Sequence, residues 1–80
     1  MNVKITLIND HIIECVATEI GKYSDLTSIK IMVDWATREL IKASRPKKLE
    51  IKNDQGAFVE KAFREFYIEG CIFDLDKQDL

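Results

Sequence analysis

The sequence predicts a small α/β domain in which a three-stranded, mostly parallel sheet is covered on one face by three helices. Three observations lead there. Two stretches, NVKITLI from Asn2 and KKLEIKND from Lys47, alternate apolar and polar residues as half-buried strands do. Three others repeat apolar residues at steps of three and four, the spacing of a helix face. A helical stretch separates each strand from the next, and strands joined through helices run parallel with right-handed crossovers.

The elements follow in the order β-α-α-β-α-β. In the first strand Val3, Ile5 and Leu7 fall on one side, with Asn2, Lys4 and Thr6 on the other. Asn9 or Asp10 caps the next helix, whose stripe is Ile12, Ile13, Val16, Ala17 and Ile20 and which Gly21 stops. After a polar junction at Tyr23, Ser24 and Asp25, the residues Ile29, Met32, Val33, Ala36, Leu40 and Ala43 repeat through a second helix. The short link makes these two helices antiparallel neighbours.

Ser44, Arg45 and Pro46 end the second helix, because the residue before proline is pushed out of the helical region. The second strand turns Leu49 and Ile51 to one face, and Asp54, Gln55 and Gly56 reverse the chain. Phe58, Val59, Ala62, Phe63 and Phe66 then form the core stripe of a third helix, with Tyr67 off the stripe and partly exposed. Gly70 takes the left-handed position after that helix, and Cys71, Ile72, Phe73 and Leu75 enter as the third strand that completes the sheet, the alternative being a frayed helix end and a coil tail over 71–80. The uncovered face of the sheet carries Lys4, Thr6, Glu50 and Lys52.

Residues 1–80 are long enough for one domain, and the single proline and three glycines confine disorder to the last few positions. Fourteen acidic against twelve basic side chains leave a net charge of −2, which gives no global attraction to nucleic acid or to an anionic membrane. Locally, Lys42, Arg45, Lys47, Lys48 and Lys52 form a basic stretch, while Glu69, Asp74, Asp76 and Asp79 make the C-terminal end acidic. Cys15 and Cys71 sit among apolar neighbours, as buried thiols in a reducing cytosol do. Asp10 and Glu14 interrupt the run that a signal peptide would continue, and no apolar stretch is long enough to span a membrane; the expected location is the cytoplasm.

No catalytic or cofactor signature is present: there is no glycine-rich phosphate loop, no nucleophile elbow and no paired cysteine or histidine spacing for zinc. His11 and Cys15, four apart, share a helix face, but with one histidine in the chain a metal site lacks further ligands. The carboxylate pairs Asp25 with Asp34 and Asp74 with Asp76 need a desolvating cleft to do acid–base work, and so small a domain has little room for one. The expectation is a protein that is not an enzyme and takes no cofactor or metal. Trp35 stands beside the apolar stripe of the second helix, either at the core edge or as an interface anchor.

The C-terminal run VEKAFREFYIEGCIFDLD resembles the C-terminal helix and final strand of the barstar-like family, intracellular inhibitors of secreted ribonucleases. Phe63, Arg64 and Glu65, then Glu69, Gly70 and Cys71 before an extended apolar end, carry the likeness over about the last twenty residues. The resemblance implies a small parallel sheet with helices in the order above, and a protein that acts by occluding another. That family's inhibitory surface lies around its second helix, and here Tyr23, Asp25, Asp34 and Trp35 fall in roughly comparable places, although the spacing does not superpose and the family's tyrosine and glycine run is missing.

Two functional classes result. The first is a non-enzymatic, acidic protein-binding domain acting as an inhibitor: an immunity protein, an antitoxin, or a phage-type factor that blocks a host protein, its target a basic nuclease or toxin met through Tyr23, Asp25, Asp34 and Trp35. The alternative is a nucleic-acid-associated regulator that uses the basic stretch, Lys42, Arg45, Lys47, Lys48 and Lys52. A homodimer formed by pairing of exposed sheet edges is compatible with either.

Overall fold

The computed structural model describes residues 1–22 and 25–76. Its strands are β1 (Asn2–Leu7), β2 (Ile12–Lys22), β3 (Leu26–Met32), β4 (Pro46–Lys52), β5 (Phe58–Lys61), β6 (Phe63–Tyr67) and β7 (Ile72–Asp76), and its one helix among the described residues, α1 (Trp35–Ser44), lies between β3 and β4. The strands form a single seven-stranded sheet in the order β5-β4-β1-β2-β3-β7-β6, and every pairing is antiparallel.

The expected α/β architecture is therefore replaced by a mostly β one. The first and last expected helices are strands, the second keeps only ten residues, Trp35–Ser44, and the sheet is antiparallel because hairpins take the place of helical crossovers. The fold implied by the barstar-like resemblance falls with it, since the segment from Phe58 to Tyr67 that was to be its helix is extended.

The physical reason lies in a spacing that helices and strands share. Residues four apart face the same way in a strand as well as in a helix. In β2 Ile13 and Ala17 point into the core while Ile12 and Val16 point out, so a stripe read as one helical face is two faces of a strand. Steps of three arise at irregularities: the ladder slips between Phe63 and Glu65, and the extra residue lets Phe63 and Phe66 both turn inward. A similar slip between Glu19 and Gly21 shifts Ile20. The β-branched run of β2 and β3 and the aromatic residues of β6 then favour the pleated surface.

Lys61 ends one sheet edge and Phe63 begins the other, with only Ala62 between them. Seven strands laid flat would put those edges roughly 29 Å apart, whereas two residue steps span about 7.6 Å at most. The sheet must therefore roll up until its edges meet, and one bent run, 58–67, pairs with β4 in its first half and with β7 in its second. Val3, Ile5, Leu7, Ile29, Leu49, Phe73 and Leu75 fill the interior with no solvent exposure. Phe73 meets Phe63 edge to face at 4.9 Å and Phe66 at 4.6 Å.

The helix closes one mouth of this barrel. Asp34 caps its start, accepting a 2.8 Å hydrogen bond from the Thr37 amide, and Arg45, at φ 42°, ends it before Pro46. Ile41 is fully buried beneath it. The Ile8 amide donates to the carbonyls of Ser44 and Arg45, and the Arg38 guanidinium donates to the Glu69 carbonyl, so the β1–β2 and β6–β7 turns hold it on both sides. The turn after β4 forms where expected, with Gly56 at φ 81° and the Asn53 side chain accepting from the Gln55 and Ala57 amides. At the β6–β7 turn the left-handed residue is Cys71, at φ 54°, in place of Gly70.

Candidate protein-interaction site

β2 is longer than either of its neighbours' pairing allows for. β1 pairs with its first half and β3 with its second, and the β2–β3 ladder ends at the rung Val16–Met32. Beyond it the chain turns away through Val33 and Asp34 into α1. Among the described residues Ile12 to Cys15 are thus paired on the β1 side only, and the side that β3 leaves is open.

The direction of the backbone groups there follows from the ladder. Ala17 donates its amide to the Met1 carbonyl and Leu7 donates to the carbonyl of His11, so the odd-numbered residues of this part of β2 turn their backbone groups toward β1. Alternate residues turn the opposite way. The N–H and C=O groups of Ile12 and Glu14 therefore face the vacated side, where Glu14 lines a groove of about 400 Å³ between β2 and the start of α1. Val33, Asp34 and Thr37 form its far wall, and Ile13 and Cys15 its inner side.

Around this groove the apolar residues stay in water. Met32 is 56% exposed, Val16 50%, Ile12 58% and Trp35, the first residue of α1, 73%. The acidic groups are Glu14 and Asp34. Hydrogen bonds from the Thr37 side chain and amide hold the Asp34 carboxyl below the usual aspartate range. Glu14 stands opposite Lys4 in the β1–β2 register, yet the Lys4 ammonium lies 4.3 Å from the Phe58 ring centre, on the far side of β1. The ion pairs among the described residues are made by other carboxylates, which leaves Glu14 free to meet an incoming cation.

The expected site residues are only partly assembled here. Asp34 lines the groove, and Trp35 follows it as the first residue of α1. Asp25 precedes β3 whereas Asp34 follows it, so the two carboxylates stand roughly 25 to 30 Å apart at opposite ends of the barrel. Asp25 is engaged instead with Arg64 at 3.4 Å, which also holds Asp76 at 3.0 Å. Tyr23 lies outside the described residues, as do the last four positions.

The basic stretch is divided. Lys42 and Arg45 flank a small hollow beside Ile41, Phe66 and Ile68 at the helix end. Lys47 pairs with Asp10, Lys48 lies 3.8 Å from Glu50, and the Lys52 ammonium is 5.8 Å from the Phe58 ring centre. His11 lies just before β2 and Cys15 within it, so that the extended chain sets them roughly 13 Å apart, too far to share a ligand, and the described residues contain no cluster of three metal-ligating side chains. Burial, then the neighbouring Cys71 thiol, pushes Cys15 up to about 11, so it remains a neutral thiol at physiological pH.

A second outward surface lies on the opposite half of the wall, where Ile20, Ile72 and Tyr67 surround Ser28 and Asp74. The Ser28 hydroxyl donates to Asp74 at 2.7 Å, and Tyr67, as expected, is about half exposed at 48%. No helix of the described residues is long and apolar enough to cross a membrane. No family model, curated protein or solved structure matches the chain.

Ile12, Glu14, Val16 and Met32 were not among the residues expected to form a site. Read as helical stripe residues, three of them belong to a core. Their exposure depends on which residues pair across strands, and nothing local in the sequence signals that.

Proposed function

We propose that this protein is a non-enzymatic protein-binding domain that works in the cytoplasm by occluding another protein, as an inhibitor of the immunity-protein, antitoxin or phage-factor kind. The observation that carries the reading is the groove at which the exposed Val16 and Met32 stand with the carboxylates of Glu14 and Asp34, with the exposed Trp35 next in the chain after Asp34. Exposed apolar side chains that share one patch mark interaction surfaces, and tryptophan is enriched at binding hot spots. The carboxylates select a basic target and speed its approach.

Capture from cell lysate by the tagged protein, with nuclease added and at two salt concentrations, tests this. One stoichiometric protein is expected to survive nuclease and to be lost from the Trp35→Ala variant, whose affinity falls about 30-fold, the effect of a typical hot-spot truncation. Recovery of nucleic acid, or of proteins released by nuclease, overturns the reading in favour of the basic residues from Lys42 to Lys52.

A further inference from the structure

We propose, resting on the protein-binding reading above, that the partner is held by strand addition: an extended segment of it, alternating basic and apolar side chains, pairs with β2 along Ile12 to Cys15. Two independent features of the molecule meet at this place. One is a row of backbone groups with no strand among the described residues to receive them; the other is a pair of carboxylates beside that row.

The ladder sets the geometry. A segment that continues the line of β3 past Met32 comes opposite Glu14 and then Ile12, whose amides and carbonyls already face it. Main-chain hydrogen bonds of this kind supply affinity, and pockets for alternate side chains supply specificity. Four residues of β2 offer roughly 13 Å of edge, enough for a segment of four or five residues. Among the described residues β5 and β6 are also paired on one side only, but the groove beside β5 is lined by Lys52 and Lys61 as well as Asp54 and so offers no purely acidic wall.

The alternation of faces sets the sequence of the segment. Val33 and Cys15 pack against the core side, together with Ile13, so every second residue of the segment turns toward them and is apolar. The residues between turn outward, where Glu14 and Asp34 flank the groove from its two walls. A lysine or arginine there faces two carboxylates, with its aliphatic stem on Val16 and Met32. An acidic side chain in the same place meets repulsion from both.

The probe is a six-residue peptide of alternating lysine and valine with blocked termini, followed by backbone amide resonances and hydrogen exchange of the intact protein. Binding is expected to slow exchange of the Ile12 and Glu14 amides at least tenfold at saturation. The same peptide N-methylated at alternate residues removes the strand hydrogen bonds and is expected to bind at least tenfold more weakly; a glutamate-for-lysine version should not bind. Glu14→Lys should weaken the lysine peptide about tenfold at low salt, and Glu14→Gln by less.

Equal binding of the N-methylated peptide, perturbation centred on Ile20 and Tyr67, or no binding at millimolar peptide overturns the proposal. Concentration-dependent protection of Ile12 and Glu14 without peptide also overturns it, by identifying the occupant as a second copy of the chain. A partner captured from lysate that leaves these two amides exchanging freely and tolerates Glu14→Lys removes strand addition while the protein-binding reading stands. Failure to capture any partner removes that reading itself.

Discussion

Val16 and Met32 face each other on the last rung that joins β2 to β3, and both side chains stand half in water on the outside of the barrel. Past that rung one strand continues and the other becomes a helix. The exposed apolar corner, the open backbone and the helix cap at Asp34 all follow from that single parting of two strands.

The interior depends on aromatic packing across the closure. Phe73 is fully buried between Phe63 and Phe66, which sit on the bent run that joins the sheet edges. Phe73→Ala is expected to lose about 3 to 5 kcal/mol, a large part of the stability of so small a domain. Urea denaturation followed by far-UV circular dichroism measures it. Trp35→Ala, at an exposed position, should change stability by less than about 0.5 kcal/mol, which separates a binding defect from a folding one.

The Asp34 cap has a definite pH signature. Its folded carboxyl is held below the ordinary aspartate value by Thr37, so the ionised form favours the folded state. That contribution is complete above the unfolded value near pH 4 and is lost as pH falls through the lower folded value. Asp34→Ala should therefore lower the melting temperature by a few degrees at pH 7. The gap between the two proteins should close in strong acid, and a thermal melt series from pH 7 to pH 2 reads it.

Cys15 titrates in the opposite sense. Its folded value of about 11 lies above that of a free thiol, so folding is favoured while the unfolded thiol is protonated. The contribution is present below about pH 8.5 and is lost as pH rises toward 11. Alkylation of Cys15 at pH 8, read by intact mass, should be slow in the folded protein and become fast on adding denaturant. Cys15→Ala should flatten the alkaline decline in stability.

Gly56 occupies the left-handed region at φ 81° in the turn between β4 and β5. The nearest atom to a Cβ placed there is Lys52 Cε at 3.9 Å, so space is available and only the backbone conformation resists. Gly56→Ala is expected to cost about 1 kcal/mol, and Gly56→Asn less, because asparagine tolerates this region. Chemical denaturation of both variants distinguishes them.

By itself the sequence determined the parts whose signals are local. The alternation in β1 and β4, the turn at Gly56, the helix end at Arg45 and Pro46, and the partial exposure of Tyr67 were legible, because each depends on a residue and its immediate neighbours, whereas Trp35 was left between core edge and interface anchor. Asp34 and Trp35 were picked out with Tyr23 and Asp25 from the barstar-like resemblance, not from a local signal. The state of Ile12 to Lys22 and of Phe58 to Tyr67 was decided only by tertiary pairing. Apolar steps of four suit a helix and a strand alike, and ladder slips after Glu19 and Phe63 supply steps of three. Which reading wins depends on whether a partner strand is there to take the backbone hydrogen bonds. For β2 that partner is β1 throughout its first half, and the absence of a second one at Glu14 is what opens the groove.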